Sequence, residues 1–187
     1  PDSKQIVYVA GDRPDPGAPK DLYVVDAAGG APRKLTTTSK DVSRPVWSPN
    51  GKQIAYIEGV GDRNGLIMIV GVEGGEPVKL ADAARSSTPQ FSLTGDRMVY
   101  YQVAPPSGSD IFTVSVEGGA ITNMTPNSSD DYTPVWSPDG TKLAWASIRP
   151  ESKGHKIVVA GPDGSNLKVV SQGDGEDYQP VWGRPAP

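Results

Sequence analysis

The stretch Thr133-Pro134-Val135-Trp136-Ser137-Pro138-Asp139-Gly140-Thr141-Lys142-Leu143-Ala144-Trp145 returns at residues 44–56 and 88–100, and in truncated form at both ends of the 187-residue sequence. Pro45, Pro89, Pro134 and Pro180 open the copies at separations of 44, 45 and 46 residues, and two positions after each stands an aromatic: Trp47, Phe91, Trp136 and Trp182. A period in the forties marks repeated supersecondary units.

Each unit divides into four short strands. The proline–aromatic strand runs into a tight turn, Ser-Pro-Asn-Gly at 48–51 and Ser-Pro-Asp-Gly at 137–140, where proline presets one corner and glycine accepts a positive φ. A second strand follows at 6–9, 54–57, 98–101 and 143–146, apolar on both faces as a strand between stacked sheets must be. The third covers 22–25, 67–70, 111–114 and 157–160. Seven residues beyond its first position stand Gly29, Gly74, Gly118 and Gly164, and six further on Leu35, Leu80, Met124 and Val170. That spacing predicts a glycine turn and a fourth strand, on which Arg33, Lys34, Lys79, Asn123 and Lys168 discourage edge pairing.

Four-stranded antiparallel units of this period are blades of an all-β fold, the β-propeller. Repeats are expected at 1–48, 49–92, 93–137 and 138–183, with a tail at 184–187. Trp47, Phe91, Trp136 and Trp182 are read as structural, filling the interfaces between blades; sugar stacking by Trp47 or Trp182 is the rival reading. The sequence opens on a second strand and closes on a first strand, Pro180-Val181-Trp182, so the two ends are able to complete one composite blade. Three arrangements stay open: a closed four-bladed ring, an arc of a larger ring, and half of a two-chain ring. The opening residues match the interior of a repeat, as in a sequence that begins partway through a longer chain.

Composition limits the function classes. A net charge of -4, a pI near 5.0 and the lack of any basic cluster argue against nucleic acid and anionic membrane. The longest apolar run, 66–70, is far too short to span a bilayer, so no membrane insertion is expected, and no leading signal segment is seen. With no cysteine and one histidine, His155, thiolate chemistry is excluded and a histidine metal site has no second imidazole. His155 reads as a solvated loop residue. No nucleophile elbow, phosphate loop or His-Glu-x-x-His motif occurs, so no enzyme activity, catalytic residue or organic cofactor is expected.

Binding residues are therefore sought on loops. Turns after strands one and three share one face and are short. The loops after strands two and four share the other and are longer, at 11–20, 59–65, 104–109 and 149–155. Just before the prolines stand Asp41, then Asp130, Asp131 and Tyr132, then Glu176, Asp177 and Tyr178, with Arg85 and Ser86 in the second repeat. Convergence of these residues at the channel mouth makes an acidic rim for a partner's basic side chain. It also makes weak Ca²⁺ binding at Asp130, Asp131, Glu176 and Asp177 an expectation. The bland alternative is that they are solvated turn acids.

The run Pro-x-Trp-Ser-Pro-Asp-Gly-x-x-Leu-Ala-Trp, with its trailing strand and Gly-Gly turn, resembles the TolB-type, WD-like propeller repeat across essentially the whole chain. The third repeat departs from it at Phe91-Ser92-Leu93-Thr94-Gly95. The resemblance implies a propeller, commonly six-bladed, in periplasmic or secreted bacterial proteins that bind other proteins or envelope components. Such repeats also occur fused to serine peptidases and other enzymes. Three functions follow: a non-catalytic binding module acting through its long-loop face, a regulatory propeller of a larger enzyme, and a self-assembling unit that forms a homo-oligomer through open blade edges.

Overall fold

The computed structural model describes residues 2–11, 18–38, 40–59, 65–82, 88–103, 108–126, 130–149 and 152–183. Their regular structure is entirely strand. The first sheet has three strands, β1 (Gln5–Gly11), β2 (Lys20–Asp26) and β3 (Arg33–Lys34). The second joins β4 (Val42–Trp47), β5 (Gln53–Glu58), β6 (Leu66–Gly71) and β7 (Val78–Asp82). The third joins β8 (Gln90–Phe91), β9 (Arg97–Val103), β10 (Ser109–Ser115) and β11 (Thr122–Asn123), and the fourth β12 (Asp130–Trp136), β13 (Leu143–Ile148), β14 (His155–Ala160) and β15 (Lys168–Val169). All pairings are antiparallel between sequence neighbours, so each sheet is a blade, and the second, third and fourth take their first strands, β4, β8 and β12, from the end of the preceding sequence repeat.

Side-chain hydroxyls explain why the blades close in this register. The amides of Gln53, Arg97 and Lys142 donate to Ser48, Ser92 and Ser137 Oγ, fixing the turn between first and second strands. In two copies Asn50 and Asp139 accept from that serine. The departing third copy restores the contact from two positions later: Asp96 accepts from Ser92 and Thr94, whose hydroxyls hold its carboxyl below the usual range. Between third and fourth strands, Leu22, Ile111 and Ile157 amides donate to Thr36, Thr125 and Ser171. Blade two has Ala81 at that place, and there β7 continues pairing through Asp82 instead. A buried amide needs a partner either way.

Stacking of the blades forms the core. The face of one blade carrying Leu22, Val24 and Leu35 packs against Ile54, Tyr56, Met68 and Val70 of the next. The same mating recurs with Ile67, Ile69 and Leu80 against Met98, Tyr100 and Val114, and with Val99, Ile111 and Met124 against Leu143, Trp145, Val158 and Ala160. Each such side chain contributes about 1.5–3 kcal/mol when fully buried. Trp47, Phe91 and Trp136 seal these three clusters.

Arg44, Thr133 and Gln179, each directly before a proline, all have φ between 51° and 54°. The residue before proline normally stays extended, and two of these positions coincide with register shifts that let β4 and β12 bend.

The composite blade does not form. β1 pairs only with β2, residues 179–182 form no strand, and no strand of the first sheet touches one of the fourth. The chain is an open arc of four blades. Ile6 is accordingly 53% exposed, where its counterpart Ile54 is fully buried. At the other end Trp182 Nε1 donates to the Val135 carbonyl at 3.3 Å, laying the last aromatic against blade four.

Candidate functional site

The acids before each proline turn out to be periodic in their contacts as well as in sequence. Asp41 Oδ1 accepts from the Lys20 amide at 3.2 Å, Asp130 Oδ1 from the Ser109 amide at 2.9 Å, and Glu176 Oε2 from the His155 amide at 3.1 Å. In every case donor and acceptor are 21 residues apart. Each carboxylate thus turns back to cap the first amide of the preceding blade's third strand. Arg85 and Ser86 lie outside the described residues, as does most of the four long loops. Among the described residues, no three carboxylates or imidazoles gather closely enough to hold a metal ion.

Asp131 has a different environment. It replaces Val42, its apolar counterpart in blade two, and is fully buried. The Trp145 indole donates to its Oδ1 at 2.8 Å, while Oδ2 has no hydrogen-bond partner. Burial pushes its pKa up, an effect only partly offset by the indole and other neighbours. Nearby, Ser147 Oγ, Thr133 Oγ1 and two Arg149 nitrogens are also buried without partners.

Around the same strand ends runs an aromatic ladder. Tyr101 meets Tyr132 edge-on at 5.4 Å between centroids, Tyr132 lies 5.7 Å from His155, and His155 lies 4.3 Å from Tyr178. His155 Nδ1 is 2.6 Å from Glu176 Oε2. That hydrogen bond is the main reason the Glu176 carboxyl falls to about 2, and the bond from Glu176 to Tyr178 raises the tyrosine. Gly154 permits the approach, because a Cβ there would lie 2.8 Å from the Glu176 carboxylate. The solvated reading of His155 is corrected: its side chain is only 14% exposed. The signal for it was in the sequence, since His155 and Glu176 share the 21-residue spacing of the other amide–carboxylate pairs.

The structure therefore brings Tyr132, Glu176, Asp177 and Tyr178 together around His155, and Lys156 also reaches Asp177 at 3.6 Å. Asp41 sits two blades away. Tyr178, 56% exposed, offers an accessible ring beside ionised groups, an arrangement suited to recognition. Clefts lined by described residues flank the blades. One, of about 350 Å³, adjoins this end of blade four and is lined by Arg149, Ser152, Lys153, Lys156 and Asp174. Another, of about 640 Å³, lies on the short-turn face between Asn50, Gln53, Thr94, Asp96, Arg97 and Glu117.

Stacked antiparallel blades, three of them four-stranded, stapled at recurring positions by serine and threonine hydroxyls, define a β-propeller repeat protein. The chain matches the TolB beta propeller domain over residues 3–185, and it belongs to that family. It is 25% identical over 171 residues to the uncharacterized protein Atu1656 of Agrobacterium fabrum, covering 86% of this chain and 57% of that protein. It is 26% identical over 168 residues to the uncharacterized peptidase YuxL of Bacillus subtilis, covering 85% of this chain but 23% of the peptidase. The chain thus spans little more than half of the first relative and under a quarter of the second. The crystal structure of TolB from Acinetobacter baumannii superimposes with a TM-score of 0.65 at 21% identity, over 91% of this chain and 42% of that one.

Proposed function

We propose that the chain is a non-catalytic binding module that recognises a protein or cell-envelope component through its long-loop face, in the periplasm or outside the cell. The observation that carries this reading is the ladder Tyr132–His155–Tyr178, a partly exposed aromatic set held in place by Glu176 at the inner strand ends of that face. The TolB family membership supports it. The test is capture from a bacterial envelope extract with Tyr132→Ala and Tyr178→Ala, set against Leu93→Ser on the short-turn face, where Leu93 is 57% exposed. Loss of the captured protein with the tyrosine variants alone supports the reading. Loss with Leu93→Ser alone moves the function to the opposite face.

A second reading is a regulatory propeller within a larger peptidase, favoured by the match to YuxL, of which this chain spans under a quarter. A hydrolase region with its own nucleophile elbow in the same polypeptide decides for it. Self-assembly through the exposed outer faces, where Ile6 and Val181 lie open, is the third, and a monomeric mass at every concentration removes it.

A further inference from the structure

Every seam between blades joins two different kinds of face. In the first, Leu22 and Leu35 of blade one close over Ile54 and Tyr56 of blade two, and the two later seams repeat that mating with their own counterparts. Blade one turns the second kind of face outward. Ile6 and Tyr8 stand there in the places of Ile54 and Tyr56; Ile6 is 53% exposed and Tyr8, stacked on Tyr23 at 5.7 Å, is half-buried, whereas Ile54 and Tyr56 are fully buried. Blade four turns the first kind outward. Ile157 and Val170 stand in the places of Leu22 and Leu35, and Val170 is 53% exposed where Leu35, Leu80 and Met124 are buried. The two open faces are therefore complementary halves of one more seam of the type the chain makes three times.

The backbone carries the same complementarity. β1 pairs only with β2, and among the described sheet edges longer than two residues it alone has neither a charge nor a proline. An edge of that kind is a template for another strand. Residues 180–182 have the sequence of a first strand and no strand beside them. Gln179 nevertheless has a φ of 52°, matching the 54° of Arg44 and the 51° of Thr133 inside the paired first strands β4 and β12. Trp182 is already seated on blade four through its bond to the Val135 carbonyl, while Val181 is 88% exposed. The stretch is thus shaped as a first strand and lacks its second.

We propose that residues 180–182 of one copy pair antiparallel with β1 of a second copy, completing a blade shared between two chains. The occupant is a second copy because no strand of the first sheet touches one of the fourth within a chain, while every copy carries both halves. The register follows from the three seams in hand: Val46 and Trp47 face Ala55 and Ile54, Gln90 and Phe91 face Val99 and Met98, and Val135 and Trp136 face Ala144 and Leu143. Val181 of one copy accordingly faces Val7 of the other, and Trp182 faces Ile6. The same step lays Ile157 and Val170 against Tyr8 and Tyr23 and takes both open faces out of water. The contact is head-to-tail, so chains add until the blades meet round the axis. This inference rests on the self-assembly reading above, to which it gives a contact, and it is independent of the binding-module reading.

The test is light scattering of the whole chain from micromolar to millimolar concentration, together with cysteine pairing, for which a chain without native cysteines is suited. The expected mass rises with concentration in whole-chain steps. Under mild oxidation, chains carrying Val7→Cys and chains carrying Val181→Cys should join to one another, and neither should join to chains carrying Leu93→Cys on the short-turn face. Val181→Asp, at a side chain open to solvent and safe for folding, should weaken association about tenfold or more, because it places a charge in the seam. A monomeric mass throughout overturns the proposal and the self-assembly reading together. An oligomer that Val181→Asp leaves intact, or in which positions 7 and 181 do not join, sinks this contact and leaves self-assembly standing. A disulfide formed within one monomeric chain carrying both cysteines assigns the pairing to closure of the chain on itself, and overturns the proposal as well.

Discussion

Replacing Asp130 decides whether the acids before each proline are scaffold or binding groups. Its Oδ1 accepts from the Ser109 amide, and Ser109 is almost wholly out of solvent. Asp130→Ala leaves that N–H without a partner, which costs about 1–3 kcal/mol. For a chain of this size each kcal/mol lowers the melting temperature by about 2–4 °C, so a fall of about 2–12 °C is expected. Asp130→Asn keeps an acceptor oxygen and gives up only the charge assistance, so its cost stays under about 1 kcal/mol. Calorimetric melts of both variants, with hydrogen exchange of the Ser109 amide, provide the measurement. Fast exchange at Ser109 in the alanine variant and near-native protection in the asparagine variant are expected. If Asp130→Ala melts with the native chain, or if both variants fall equally, the carboxylate is not acting as an amide cap.

Thr125→Val removes the hydroxyl that satisfies the Ile111 amide and should destabilise by about 1–3 kcal/mol. Thr125→Ser loses only a methyl, about 0.8 kcal/mol; denaturant midpoints in which Ser costs as much as Val contradict the stapling argument. Asp131, whose pKa is raised by burial, holds its proton in the folded chain where the unfolded chain has lost it. Its contribution therefore favours folding at low pH and is lost as pH rises from about 3.9 through the folded value, so the stability advantage of Asp131→Asn should grow as pH rises above about 4 in urea titrations. Glu176 runs oppositely. Its pKa falls to about 2, so its contribution is present above about 4.3 and disappears toward pH 2, a limb that Glu176→Gln should abolish. Millimolar calcium should leave the melting temperature unchanged and give no calorimetric heat, because Asp130 and Glu176 are already engaged by amides; a saturable heat would restore the acidic rim as a cation site.

The sequence alone determined the blade. Proline and glycine at fixed offsets force the turns, and the short apolar runs between them set the strands, because both act over a few neighbouring residues. It also carried the 21-residue relation that ties Asp41, Asp130 and Glu176 to the preceding blade. Only the tertiary structure decided which way those carboxylates turn, that His155 lies against Tyr132 and Tyr178, and that Asp131 goes under while Asp130 does not. It also decided that the two ends of the arc remain apart. These outcomes depend on how much each blade rotates against its neighbour and on which side chains happen to meet across that interface. Spacing along the chain does not encode either quantity.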